Sequence, residues 1–200
     1  MAETPDQRHA QRMARKKTVV DGAIKRATED RGVLLVLTGN GKGKSSSAFG
    51  MVARALGHGM QVRVYQFIKG RRDTGEEAFF DGHAGLSWEV CGEGFTWETQ
   101  DRARDAEVAA RGWQRAGIAL ADPTIDLVVL DELTYLLQYG YLDATAVYAA
   151  LAARPPLQHV VVTGRAAPSA LTELADTVSE VRDVKHAFRA GVRAQAGVDL

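Results

Sequence analysis

The run Val33-Leu34-Leu35-Val36-Leu37-Thr38-Gly39-Asn40-Gly41-Lys42-Gly43-Lys44-Ser45-Ser46 decides how the rest of the chain is read. A leucine- and valine-rich stretch stops at a glycine-rich turn. The turn ends in Gly43-Lys44-Ser45 and opens into Ala48-Phe49-Gly50-Met51-Val52-Ala53-Arg54-Ala55-Leu56, whose pattern is amphipathic. Buried strand, glycine loop and helix, in that order, are what a phosphate-cradling loop requires. Glycines let the backbone curl until successive N–H groups converge on one anion, and the helix adds the positive end of its dipole. Lys44 is then expected to reach the phosphates as a point charge, and the Ser45 hydroxyl to sit on a bound magnesium ion. Against the strict pattern G-x-x-x-x-G-K-[ST], Thr38 stands where the first glycine belongs, and Lys42 is an extra cation. The triphosphate is therefore expected to lie differently from that of an ordinary nucleotide hydrolase. By themselves these residues imply binding of a nucleoside triphosphate and no more.

A loop of this kind needs an acidic partner, and Ile125-Asp126-Leu127-Val128-Val129-Leu130-Asp131-Glu132 supplies it: an apolar strand delivering two carboxylates at its tip. One acid orients the magnesium shell, directly or through water, and the other ligates the metal or positions a nucleophile. Glu132 is the first candidate and Asp131 the second. His159-Val160-Val161-Val162-Thr163-Gly164-Arg165 is another buried strand, and it brings Arg165 to the same edge. Val62-Arg63-Val64-Tyr65-Gln66-Phe67-Ile68 is a third, and Lys69 and Arg71 beyond it are plausible anion contacts, since ligands bind at the carboxyl edge of parallel sheets. Ser87–Cys91 reads as a short strand and Thr177–Arg182 as an edge strand. Between the strands lie helical patterns, including Gln100 to Ala121 with Val108, Trp113, Ile118 and Leu120 among its apolar positions. The fold class is α/β: a P-loop NTPase-like three-layer sandwich, with a mainly parallel sheet of about five or six strands and helices on both faces.

The 200 residues suit one globular domain with a real core, residues 33–200, preceded by a polar arm, residues 1–32. In the arm Met13, Val19, Val20, Ala23, Ile24 and Ala27 recur at roughly helical spacing. That reads either as a solvated helix or as a segment packing over the site or on a second subunit. Lys and Arg balance Asp and Glu at 25 each, so overall charge gives no case for nucleic acid or an anionic membrane as partner. The amino terminus lacks the apolar core of a signal peptide, and no apolar run is long enough to span a bilayer, so a cytoplasmic protein is expected. Cys91, the single cysteine, reads as a small buried hydrophobe. The five histidines show no metal-ligand spacing.

Gly94-Phe95-Thr96-Trp97 puts two large rings beside glycine. They are either tucked into the core or form an aromatic wall against a flat apolar ligand. Here the order of motifs becomes informative. Thr38–Ser45, Gln66-Phe67-Ile68-Lys69-Gly70, Gly94–Trp97, Leu130-Asp131-Glu132-Leu133-Thr134-Tyr135, Thr163-Gly164-Arg165, Leu174–Glu180 and the tail Lys185-His186-Ala187-Phe188 follow one another as in one family. The chain closely resembles the ATP:corrinoid adenosyltransferases of the phosphate-loop type, from about Gln11 to the end.

That resemblance implies a reaction at carbon: transfer of the 5′-deoxyadenosyl group of ATP to a Co(I) corrinoid, with release of triphosphate. Cobalt is the nucleophile, so no side chain serves as general base. The resemblance assigns the phosphates to Gly39, Asn40, Gly41, Lys42, Gly43, Lys44 and Ser46, with Ser45 and Glu132 on magnesium. Arg54 and Arg165 are further nucleotide contacts, and Phe95 and Trp97 are the pair that closes over the corrin ring. It further implies a reversed triphosphate, a homodimer with the N-terminal helix over a corrinoid site, and a reductase partner such as flavodoxin or another flavoprotein. The acceptor is cobalamin, cobinamide or cobyrinic acid a,c-diamide. Ser45 departs from the threonine of many members but keeps the hydroxyl. Two rival readings stand beside it: a phosphate-loop kinase or ATPase acting at phosphorus, and a binding module without turnover.

Overall fold

The computed structural model describes residues 4–68, 74–92 and 101–199. The chain divides into two units, Met1–Arg31 and Gly32–Leu200. The first is built on helix α1 (Pro5–Arg26), which Thr4 starts with a reciprocal capping box to Gln7 and Pro5 at the first helical position. No residue of α1 is buried.

The second unit alternates strands and helices. The strands are β1 (Leu34–Thr38), β2 (Val62–Gln66), β3 (Leu86–Val90), β4 (Leu127–Asp131), β5 (His159–Thr163) and β6 (Thr177–Glu180). They form one sheet in the order β3-β2-β4-β5-β1-β6, and every neighbouring pair is parallel. The helices are α2 (Lys44–Gly57), α3 (Gly75–Phe80), α4 (Arg102–Ala121), α5 (Leu133–Gln138), α6 (Ala144–Ala152) and α7 (Ser169–Leu174). The expected α/β architecture is thus observed, with the sheet parallel throughout and six strands wide.

Because side chains alternate across a strand, each central strand feeds two cores. Val62, Val64, Leu127, Val129 and Val161 face α2, where they meet Ala48, Phe49 and Val52. Val128, Leu130, Val160 and Val162 face the other way, onto a core shared with α4, α5, α6 and α7. In α4 Leu120 is buried and Trp113 packs against the core, as the pattern expects, whereas Ile118 is 68% exposed. The other buried positions are small: Ala109, Gly112, Ala116 and Ala119. Small residues win because the helix sits so close that a Cβ on Gly112 would lie 2.8 Å from Cys91 Cβ. Cys91 is buried there, and burial pushes its thiol pKa up to about 11, which fits the packing role expected of it.

The sheet's carboxyl edge collects the unusual backbone. Gly39, Gly43 and Gly164 follow or lie just beyond β1 and β5 with positive φ, and Glu132 and Ala166 are the two non-glycine residues there among the described residues. Such conformations concentrate where the structure over-determines them, often at functional sites.

Candidate phosphate and cation site

Thr38, in place of the expected glycine, has a structural reason. It is still a strand residue, paired with Glu180 of β6, and its hydroxyl accepts a hydrogen bond from Ala167 N–H at 3.1 Å. The turn begins one residue later, at Gly39, whose φ is +98°. A side chain on Gly39 would collide with the Val181 carbonyl, so β6 and its continuation press directly on the loop. Gly41 N–H donates to that same carbonyl at 2.7 Å. Gly41 therefore shapes the turn, and its amide is already committed away from an anion.

At the start of α2, Gly43 adopts a left-handed conformation, and no side chain caps the helix. The first turn carries no acidic residue. Its N–H groups have no intrahelical acceptor, so an anion suits this end. Lys44 is 6% exposed and donates from Nζ to the Gly41 carbonyl at 2.9 Å. Its burial lowers its pKa from the ordinary 10.5; Glu132 opposes that shift, and Arg165 adds to it. The three side chains are electrostatic neighbours although they come from three different strand ends.

Asn40, Gly41, Lys42, Gly43, Lys44, Ser45, Ser46, Glu132 and Arg165 line one cavity of about 610 Å³. The elements in contact with it follow from the strand order: β1 and β4 flank β5, so their carboxyl ends bracket Arg165. Gly39 lies behind the lining, as the hinge of the turn. Arg54 is not brought to this cavity. It sits in the last turn of α2, roughly 15 Å from Lys44 at about 1.5 Å per residue, and lines a separate apolar hollow with Val33, Leu35, His58 and His159. Arg54 thus stands apart from the residues that line the larger cavity, because one helix cannot place both ends at one edge of the sheet. Phe95, Trp97, Lys69 and Arg71 lie outside the described residues.

Asp131 does not line the cavity either. It is fully buried beneath the cavity wall, where Oδ1 accepts from Thr163 Oγ1 at 2.7 Å and Oδ2 from Gln66 Nε2 at 3.0 Å. Trp88 Nε1 in turn donates to Gln66 Oε1 at 2.9 Å. Glu132, one residue on, is part-exposed and reaches the cavity. The donor set therefore consists of hard oxygens, the Ser45 hydroxyl and the Glu132 carboxylate. Among the described residues no group of three or more His, Cys, Asp or Glu could hold a metal. The hydroxyl and carboxylate donors themselves suit magnesium, a hard cation held by one or two carboxylates together with substrate phosphates.

Residues without a sequence assignment also line the cavity. Thr74, Glu76, Phe79 and Phe80 approach from α3, and His186, Val198 and Asp199 from the tail. Asp199 pairs with Lys42 at 2.7 Å, and that lysine, through its hydrogen bond, lowers the carboxyl pKa of Asp199. No local spacing signals the tail's return to the loop. Gln66 and Thr163 had a visible signal: each is a polar residue ending an apolar strand, as Asp131 is. Register sets Gln66 opposite Asp131, and Leu130 opposite Val162 brings Thr163 beside it.

Comparison with known proteins adds an independent finding. Residues 30–200 match the family model described as ATP:corrinoid adenosyltransferase BtuR/CobO/CobP. Residues 1–24 match a second model, described as cob(I)alamin adenosyltransferase N terminal. The chain is 61% identical to the corrinoid adenosyltransferase of Pseudomonas aeruginosa across the full length of both. It is 50% identical to corrinoid adenosyltransferase CobA of Salmonella typhimurium, over 97% of this chain and 98% of that protein. With the corrinoid adenosyltransferase of a Sinorhizobium species it shares 45% identity, over 100% of this chain and 94% of that protein.

Proposed function

The chain belongs to the ATP:corrinoid adenosyltransferase family, and from that membership we propose how its cavity carries out the reaction. The enzyme transfers the adenosyl group of ATP to a corrinoid; a kinase or ATPase acting at phosphorus is not favoured. In that reaction the electron pair of Co(I) becomes the cobalt–carbon bond, the C5′–O5′ bond of ATP breaks, and triphosphate leaves with the electron pair of that broken bond. No proton has to be moved by the protein. Its work is to align C5′ with cobalt and to stabilise the charge on the departing triphosphate.

The single observation that carries the site assignment is the convergence of Lys44, Glu132 and Arg165 on one cavity under the uncapped start of α2. Asn40, Lys42, Lys44, Ser46 and the amides of the first turn hold the triphosphate. Ser45 and Glu132 hold magnesium, which neutralises charge as the triphosphate departs. Lys42 must exchange its Asp199 partner for phosphate when ATP enters. Phe95 and Trp97 close over the corrin ring, displace its lower axial ligand and make Co(II) easier to reduce.

The remaining assignments are likewise our reading. The enzyme works as a cytoplasmic homodimer, with α1 over a corrinoid site and a flavoprotein reductase supplying electrons. Support for the arm comes from Val19 and Ile24, which are 69% and 65% exposed on a helix that buries nothing. Among the described residues no helix is long and apolar enough to cross a membrane.

The test is anaerobic: protein, magnesium-ATP and chemically reduced cobalamin, followed by absorbance and light sensitivity. A light-labile alkylcobalamin with stoichiometric triphosphate is expected. ADP or orthophosphate without a cobalt–carbon product would overturn the reaction. A second prediction separates the aromatic role. Trp97→Ala should slow turnover from Co(II) with an external reductant by up to about tenfold, the scale of one lost aromatic contact. With Co(I) supplied chemically, turnover should stay within about threefold; equal losses in the two assays would refute the axial-ligand role.

A further inference from the structure

Glu132 carries its carboxylate on a strained backbone. Its φ of 62° and ψ of 22° are left-handed, a region that non-glycine residues leave unless their surroundings hold them. It is held from both sides. Its N–H donates to Thr163 Oγ1 at 2.9 Å. On the other side, a Cβ on Gly164 would lie 3.3 Å from Glu132 Oε2, so the carboxylate rests against that glycine.

Thr163 is fully buried and acts in both directions. Its single hydroxyl proton goes to Asp131 Oδ1 at 2.7 Å, which leaves its lone pair for the Glu132 amide. Asp131 is fixed in turn by Gln66, and Gln66 by the Trp88 indole. Gln66, Asp131 and Thr163 end three neighbouring strands on the face toward α2, and each is completely buried. A buried chain in which each donor has one acceptor has one low-energy arrangement, because any other leaves a polar group unpaired.

We propose that Thr163 is a positioning residue for the cation site: its hydroxyl, oriented by Asp131 and Gln66, fixes the left-handed backbone of Glu132 and so aims the carboxylate at the divalent cation accompanying the triphosphate. This rests on the reading that Glu132 meets that cation. Asp131 acts from behind the wall, through Thr163, and does not ligate. Valine at position 163 keeps the shape of threonine but can neither accept from Glu132 nor donate to Asp131. Serine keeps both bonds.

The test measures binding rather than turnover, with Mn²⁺ as the cation and inorganic tripolyphosphate as the anion. Electron paramagnetic resonance gives the Mn²⁺ affinity of the protein–tripolyphosphate complex, and calorimetry gives tripolyphosphate affinity without metal. Thr163→Val should weaken Mn²⁺ binding about tenfold or more and leave metal-free tripolyphosphate binding within about twofold; a relay bond to a charged site has that weight. Thr163→Ser should return Mn²⁺ affinity to within about threefold of the parent. Unchanged Mn²⁺ affinity in Thr163→Val, or equal losses in both measurements, would overturn the proposal. So would a serine variant no better than valine. Glu132→Gln separates the two levels of the argument. If it weakens Mn²⁺ binding and Thr163→Val does not, the positioning role alone fails. If it leaves Mn²⁺ binding unchanged, the cation assignment fails and takes the proposal with it. Should Thr163→Val not fold, Thr163→Ala removes the hydroxyl without pressing a second methyl on Asp131, and the same outcomes decide.

Discussion

Replacing Lys44 by alanine is expected to lower adenosyl transfer by about 10²–10³-fold, the usual loss when one preorganised group facing developing negative charge is removed. Lys44 is the cation most enclosed by the cavity, at 6% exposure, and its ammonium is already held by the Gly41 carbonyl above the loop. Little reorganisation is needed when a triphosphate arrives, and a preorganised charge in a partly desolvated site is worth more than one in water. The loss should appear in kcat as well as KM, because charge on the triphosphate grows as the C5′–O5′ bond breaks. Alanine also leaves Glu132 and Asp131 without the neighbouring positive charge that the lysine provides. Rate of triphosphate release with Co(I) supplied chemically is the measurement. Turnover within about threefold of the parent would remove the phosphate-loop assignment. Lys44→Arg should not restore activity, since the planar fork of arginine does not fit where a single ammonium is enclosed.

Gly164→Ala should be the most destabilising single methyl in the site. Gly164 has a φ of +137°, and a Cβ there would lie 2.0 Å from Thr134 Oγ1 and 3.1 Å from Thr134 Cβ. Thr134 cannot step aside: it is fully buried in α5, and its hydroxyl donates to the Arg165 carbonyl at 2.7 Å. Backbone strain of this kind costs about 1–3 kcal/mol, and forcing a methyl into a filled core costs about 1–3 kcal/mol more. A loss near 4 kcal/mol follows, which for a domain of this size lowers Tm by roughly 10 °C. Thermal unfolding measures it directly. Adding Thr134→Ala should recover part of the loss, because the two sites share one clash and their effects cannot be additive. A Gly164→Ala protein melting within about 2 °C of the parent would refute the contact. The same substitution should also displace Arg165 and Glu132, so activity should fall even at temperatures where the variant is folded.

Both predictions act on the carboxyl edge of the sheet, which the sequence announces and the tertiary structure completes. The strand Leu34–Thr38, the turn through Gly43 and the helix from Lys44 are legible locally, because each follows from side-chain period and glycine freedom within about twenty residues. The acidic tip of β4 is legible for the same reason. The N-terminal helix was readable from spacing between Met13 and Ala27, but its start lies earlier, at the capping box of Thr4 and Gln7. In contrast, the separation of Arg54 from the loop is visible only once α2 is in place, which carries it to the far end of the layer and into a separate hollow. Ile118 looks like core until the close approach of α4 to Cys91 selects alanine and glycine instead.

The chain's own sequence thus determined the fold class, the glycine-rich turn between β1 and α2, the acidic tip of β4 and, through the order of its motifs, the family. Those features are written in short-range patterns: alternation, glycine position and residues at strand ends. What only the tertiary structure decided is which of those residues meet. Asp131 and Glu132 are neighbours in sequence, yet one is sealed under the wall and the other enters the cavity, because the backbone turns left-handed between strand and helix. Thr163, thirty-odd residues later, sets that turn, and the carboxylate of Asp199 arrives at Lys42 from the far end of the chain. Long-range hydrogen bonds of this kind depend on strand order and register. Those are properties of the packed sheet, and no window of sequence contains them.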